Sequence, residues 1–143
     1  MLNISTVTCQ LENEEILYVR WEYYGPFMKF NFEMYFFGLI EKVNRLKIKK
    51  MILDCSRRKH DPSEKDFKEI FELLLSGLSS TGLEKMARIC PPATPSNAKF
   101  NQYLHEITTY LDLKFQLGNF NSTELALNWL REKNYELQNK QQK

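Results

Sequence analysis

A concentrated set of polar and basic side chains lies between residues 54 and 63. An apolar run precedes this segment and a helical pattern follows it, so we expect it to join the carboxyl end of a strand to the N-terminus of a helix. Open α/β sheets bind ligands at that edge, and a helix N-terminus favours anions. The sequence therefore predicts a ligand- or partner-binding site made of Ser56, Arg57, Arg58, Lys59 and His60.

A second interpretation of the same segment stays open. Consecutive basic residues in a polar loop are commonly just solvated, and Asp54 and Asp61 would neutralise part of their charge. No glycine-rich phosphate cradle accompanies them. The segment is thus either an anion site or an ordinary charged loop.

Residues with nucleophilic or metal-binding potential are not arranged for catalysis. Cys55 and His60 are five positions apart, without a nucleophile elbow or an oxyanion-forming glycine run. His105 lies among helical surface residues, and no His or Cys pair has metal-ligand spacing. We therefore predict a non-enzymatic domain with no catalytic residue, no metal and no cofactor. The three cysteines, an odd number, are expected to be buried free thiols.

Composition indicates one reduced, soluble domain. The chain has 143 residues, 43% of them hydrophobic, with 20 Lys and Arg against 18 Asp and Glu. Nucleic-acid binding usually needs a concentrated basic face, and a net charge of only +2 argues against one. Without a signal peptide or an apolar run of ~20 residues, we expect a cytoplasmic protein with no transmembrane segment. We place the domain at residues 1–136 and a polar tail at 137–143.

The periodicity of apolar residues predicts the order β-β-α-β-α-β-α-β-α. Alternation of short strands with helices after an opening hairpin implies helices packed on a sheet. The expected fold is a single α/β domain with an opening β-hairpin, a four- to five-stranded mixed sheet and about four helices. The predicted elements are strands at 3–10, 16–24, 51–53, 85–90 and 113–117, and helices at 28–47, from Ser63, from Thr94–Pro95 and from Asn121.

Each predicted helix has an apolar stripe at spacings of three and four. The second helix is the best marked, because Ser63 with Asp66 resembles a capping box. In the last helix we expect Leu125, Trp129 and Leu130 to turn inward. The stripes of the first three are Phe32, Tyr35, Phe36, Leu39, Ile40 and Val43; Phe67, Ile70, Phe71, Leu74 and Leu78; and Phe100, Tyr103, Leu104, Ile107 and Leu111.

The first helix carries more aromatic residues than one buried face needs. Phe30 and Phe37 fall outside its main stripe. Exposed, they would suit a dimer interface, a membrane surface or a hydrophobic ligand. Covered, they would contact a neighbouring helix. Both arrangements remain open from sequence.

The opening hairpin, the strand at 51–56, the helix entry Asp61-Pro62-Ser63 and the closing segment from Phe120 to Leu130 together resemble the STAS domain family. Within it the likeness is to the small sporulation-antagonist-like proteins, grouped with STAS and CRAL-TRIO lipid-binding folds, and it covers most of the chain. The resemblance implies a regulatory domain that works through protein contacts, and it leaves lipid or small-ligand binding open.

Ser63 matches the serine that a partner kinase phosphorylates in the anti-sigma-factor antagonists of that family. Pro62 and Glu64 stand where the family has small neighbours. The resemblance thus implies a phosphorylation switch at Ser63, whereas the residue by itself is explained as a helix N-cap, which we favour.

Two functions follow from these observations. The first is a non-enzymatic, STAS-like interaction domain with a protein partner. The alternative is a binding module for an anionic or amphipathic small molecule, such as a lipid or a nucleotide, that uses residues 54–63 and the aromatic first helix.

Overall fold

The computed structural model describes residues 6–11, 14–20, 28–56, 63–90 and 95–132. Several predictions lie outside these residues: the turn around Asn13, the end of the second strand at 21–24, most of the basic loop, the Thr94 cap and the tail from 137.

The described residues form five strands and four helices in the predicted order, which confirms a single α/β domain with four helices. A parallel strand pair needs a crossover between its members, and here each crossover is a helix. The bounds are β1 Thr6–Leu11, β2 Glu14–Arg20, α1 Lys29–Arg45, β3 Lys50–Asp54, α2 Glu64–Ser79, β4 Lys85–Ile89, α3 Pro95–Tyr110, β5 Gln116–Phe120 and α4 Thr123–Leu130.

The strands lie side by side in chain order. β2, β3, β4 and β5 are parallel neighbours, with Leu53 opposite Arg88 and Arg88 opposite Asn119. β1 pairs with β2 in an antiparallel register that runs from Thr6↔Val19 to Leu11↔Glu14. Because crossovers between adjacent parallel strands share one hand, consecutive crossovers place their helices on the same face.

The two faces of the sheet are covered unequally. On one face α1, α2 and α3 pack on Leu17, Met51, Leu53 and Met86. On the other face α4 packs through Ala126 and Leu130, in the cluster that contains Ile16, Ile52, Ala87 and Ile89. β3 and β4 are therefore buried on both sides, which explains the apolar run Met51-Ile52-Leu53 in β3.

Aromatic rings join the three helices of the larger face. Phe67 of α2 stacks on Phe71, with ring centroids 4.6 Å apart, and lies 4.9 Å from Phe100 of α3. Phe71 meets Phe36 of α1 at 6.2 Å. The inner stripes of these helices are largely as predicted, although Tyr35, Ile40 and Leu111 are only partly buried.

The last strand and helix differ from their predictions. β5 runs from Gln116 to Phe120, three residues later than predicted, because Leu113 and Phe115 pack beside the core before the strand begins. Ser122, not Asn121, caps α4: its Oγ accepts the backbone N–H of Leu125 at 3.2 Å. From this start Ala126 and Leu130 form the inner stripe, Trp129 is half-buried against Phe120 and Leu125 is exposed.

Within the described ranges, no helix combines the length and apolar character that crossing a membrane requires.

Candidate functional site: a buried arginine in a cavity beneath α3

The predicted basic loop is described only at its two ends. Asp54 is buried at the end of β3, where it accepts hydrogen bonds from the Tyr18 hydroxyl and from the Ser56 backbone N–H and hydroxyl. The Asp54 carboxylate thus accepts the hydrogen bonds that Ser56 donates at the start of the loop. Arg57, Arg58, Lys59 and His60 lie outside the described residues, so the predicted site stays a prediction.

Ser63 is the N-cap of α2. Its side-chain oxygen accepts the backbone N–H of Asp66 at 3.1 Å, and its φ and ψ of −63° and 163° are extended. This is the capping geometry that the sequence predicted, although Asp66 does not complete a capping box. Ser63 is an exposed residue.

The most unusual polar residue of the described fold is Arg88, in the middle of the sheet. It lies on β4, and only 2% of its surface is exposed. It belongs to the face that α1, α2 and α3 cover, two residues from Met86. A buried charge is costly unless it is paired, so the partners of this side chain decide how its burial is tolerated.

Among the described residues, one nitrogen of the guanidinium makes the hydrogen bonds. Nη1 donates to Asn101 Oδ1 at 2.9 Å, to Asn119 Oδ1 at 3.3 Å and to Cys90 Sγ at 3.3 Å. Nε is buried, and no described residue accepts a hydrogen bond from it. None of these partners is a carboxylate, and the ion pairs found among the described residues do not include Arg88.

Arg88 lines a cavity of about 450 Å³ between α3 and the edge of the sheet. We call this cavity the Arg88 pocket. β4 contributes Arg88, α3 contributes residues between Asn101 and Thr108, and β5 contributes Leu117 and Asn119. Its lining residues are Arg88, Cys90, Asn101, Leu104, His105, Thr108, Leu113, Leu117 and Asn119.

Sequence analysis missed this site, although it contained a signal. Arg88 interrupts the apolar strand Met86-Ala87-Arg88-Ile89-Cys90, and a charge inside such a strand must be buried. Asn101 and Asn119 are far away in sequence, so only the fold brings them to Arg88. His105 is exposed, as predicted, but it also lies in the pocket lining.

The described cysteines are free, as predicted. Cys55 is buried, whereas Cys90 is only half-buried because it faces the Arg88 pocket. The side chain of Cys9 lies outside the described residues.

A charged network on the surface holds α3 against α2. Lys68 Nζ donates to Glu106 at 2.7 Å and to Glu64 at 2.8 Å. The hydrogen bonds to Glu106 and Glu64 raise the pKa of Lys68, and the hydrogen bond from Lys68 lowers the pKa of Glu106. The Tyr110 hydroxyl donates to Glu72, which raises the pKa of Tyr110. These bonds position the helix that roofs the Arg88 pocket.

α1 presents a second, apolar stripe to solvent, at positions separated by four and three. We call it the α1 apolar row: Phe30, Met34 and Phe37, which are 67%, 54% and 55% exposed. Between this row and the core, a shallower cavity of about 260 Å³ is lined in part by Tyr35 and Gly38. Burial without a hydrogen-bond partner raises the pKa of Tyr35 to about 12.

Comparisons with models of known protein families, with curated proteins and with solved structures find no match for this chain. The fold and the geometry of the site are therefore the basis for assigning a function.

Proposed function

We propose that this protein is a binding domain for a small anionic ligand, which it receives in the Arg88 pocket. The observation that carries the proposal is a buried guanidinium that lines a cavity and whose hydrogen-bond partners among the described residues are a thiol and two amides. An anion in the pocket would supply the negative charge that the described residues do not. The cavity volume of about 450 Å³ falls within the range of small-molecule sites.

The position of the pocket supports this proposal. Cys90 and Asn119 lie at or beyond the carboxyl ends of β4 and β5. Ligands of open α/β sheets bind outside the carboxyl ends of their strands. β3 ends at this same edge, and the basic residues predicted from sequence to bind an anion follow β3 in the chain.

The experiment compares the full chain with two arginine variants. Melting temperatures are measured with and without sodium octanoate or inorganic phosphate for the wild type, Arg88→Met and Arg45→Met. Arg45 is the matched control because it is exposed on α1 and pairs only with Glu41 at 3.3 Å. We expect an anion-dependent rise in the wild type and in Arg45→Met, and a loss of that rise in Arg88→Met.

An equal rise in Arg88→Met would overturn the proposal, because the anion would then bind elsewhere. The absence of any rise in the wild type with either anion would count against it as well.

A second candidate function, a STAS-like interaction domain, is favoured by the α1 apolar row. Three large side chains exposed at helical spacing form a surface that a protein partner could cover. The element order and the antiparallel pairing of β1 with β2 support the mixed-sheet arrangement that the STAS resemblance implies.

Charged substitutions on the row test this candidate. Phe30→Glu and Phe37→Glu should abolish capture of a protein partner by the immobilised full chain, whereas Glu41→Gln, on the exposed side of the same helix, should leave it intact. Capture that is indifferent to both phenylalanine changes would contradict the candidate.

A further inference from the structure

The lining of the Arg88 pocket indicates which kind of anion it takes. Resting on the proposed function, we propose that the ligand is a small amphipathic carboxylic acid, bound through its carboxylate to Arg88 with its apolar body against the leucines of the pocket.

The described residues leave part of the guanidinium without a hydrogen bond. Nη1 is held by Asn101, Asn119 and Cys90, whereas no described residue accepts a hydrogen bond from Nε. Nε and Nη2 donate in parallel from the side of the guanidinium, and two parallel donors match the two oxygens of a planar carboxylate. A planar carboxylate is therefore a matching partner for the guanidinium of Arg88, the one arginine of the described lining.

The two amides add donors to the same pocket. Arginine has no acceptor, so Asn101 and Asn119 must turn their oxygens toward Nη1. Each amide then keeps its NH₂ group, for which no described residue is the acceptor. These amide donors, together with the guanidinium of Arg88, favour an anion over a cation.

The charge of the pocket matches a monoanion. The described lining contains one arginine and no lysine, with His105 as its other basic residue. A phosphate monoester carries about −1.5 to −2 at neutral pH and is favoured by several cations or by a helix N-terminus. The described lining from α3 begins at Asn101, the seventh residue of that helix. These features favour a carboxylate over a phosphate.

Three leucines form the apolar part of the lining. Leu104 is 3% exposed, and Leu113 and Leu117 pack at the edge of the main core. A ligand carbon chain beside them would leave water on binding. Each added methylene should therefore tighten binding roughly fourfold until the pocket is filled.

Calorimetric titration of the full chain tests this assignment. The probes are butyrate, hexanoate and octanoate, with octyl phosphate and octanol for comparison at the same chain length. We expect affinity to rise from butyrate to octanoate, and octanoate to bind at least about tenfold tighter than either comparison probe. In Arg88→Met octanoate should bind no tighter than octanol.

A measurement on the unaltered protein makes the test independent of that variant. Octanoate should slow the alkylation of Cys90 by iodoacetamide, followed by mass spectrometry of the labelled peptide. Cys55 is the internal control because it is buried. Unchanged alkylation of Cys90 at saturating octanoate would place the ligand elsewhere and overturn the assignment.

The outcomes separate this inference from the proposed function. Tighter binding of octyl phosphate, lost in Arg88→Met, would overturn the carboxylate assignment and leave the anion site standing. Binding of octanol as tight as octanoate would overturn both, since the charge would then contribute nothing. Failure of every probe to bind would likewise overturn both.

Discussion

Under the proposed function, Arg88 would reduce the stability of the ligand-free protein in order to bind a ligand. Its burial removes a guanidinium from water, and no described carboxylate offsets that cost. Asn101 and Asn119, by contrast, are exposed and could turn to water if the guanidinium were removed.

We therefore expect Arg88→Met to increase the free energy of unfolding of the ligand-free protein by about 1–3 kcal/mol. Urea denaturation measures this, with Arg45→Met as a control that should stay within about 0.5 kcal/mol of the wild type. A marked loss of stability in Arg88→Met would instead make Arg88 a structural residue.

Also at the residue scale, substitutions of Ser63 test whether this residue acts as the N-cap of α2. Replacement by Ala removes the acceptor for the Asp66 N–H and should destabilise the protein by about 0.5–2 kcal/mol, whereas Ser63→Asp should retain most of the cap. Ser80→Ala is the matched control, because Ser80 ends α2 through its backbone N–H. Equal stability of Ser63→Ala and the wild type would show that the cap contributes nothing.

At the scale of elements, two glycines on neighbouring helices should respond in opposite ways. A Cβ on Gly38 of α1 would meet nothing within 4 Å, so Gly38→Ala should stabilise the helix by about 0.5–1 kcal/mol. A Cβ on Gly77 of α2 would lie 2.3 Å from Ile40 Cδ1 and 3.0 Å from Cγ1. Rotating only the end of Ile40 would not relieve this, so Gly77→Ala should cost about 1 kcal/mol or more.

Chemical denaturation of both alanine variants measures the contrast. Ile40→Ala should be less harmful in the Gly77→Ala background than in the wild type, because it makes room for the new methyl group. If the effects of the two substitutions on the free energy of unfolding are additive, the contact between α1 and α2 at Gly77 is looser than the geometry indicates.

The link between α2 and α3 should be sensitive to acid. The pKa of Glu106 in the folded protein lies below its ordinary value of 4.5. The stability that the ionised carboxylate of Glu106 contributes is therefore complete above pH 4.5, and it disappears as the pH falls through the pKa of the folded protein. Lys68→Met should thus lower the melting temperature at neutral pH, and the difference from the wild type should shrink below about pH 4.5.

Lys65→Met is the control for this pH series, since Lys65 is 82% exposed and 3.8 Å from its partner Glu69. The melting temperature of Lys65→Met should differ little from that of the wild type at every pH. A Lys68→Met effect that stays constant into the acid range would show that packing, not charge, links the two helices.

At the scale of the whole molecule, the protection of backbone amides from hydrogen exchange should follow the unequal covering of the sheet. β3 and β4 are buried on both faces, whereas β5 is an edge strand with half-buried and exposed residues. Amide hydrogen exchange should therefore be slowest in β3 and β4 and faster in β5, where the Arg88 pocket opens. Equal protection of β4 and β5 would contradict this.

Local periodicity was enough to predict the element order, the inner stripes of α1 to α3 and the Ser63 cap. Apolar residues at spacings of three and four, and a serine three residues before Asp66, carry their physical consequence within a few residues. The prediction was wrong where local patterns compete. Leu113 and Phe115 look like strand residues but pack in the connection, and Leu125 looks like a core residue but lies one position off the inner stripe of α4.

The candidate site was decided only by the tertiary structure. The sequence by itself predicted a binding site within residues 54–63, because the charge density there is evident without knowledge of the fold. The Arg88 pocket depends on three segments that are distant along the chain: Arg88 on β4, Asn101 on α3 and Asn119 on β5. Strand register sets Arg88 beside Asn119, and the crossover through α3 lays Asn101 over them. Burial and the lack of a counter-charge, which make this arginine a candidate ligand group, exist only once those segments are packed together.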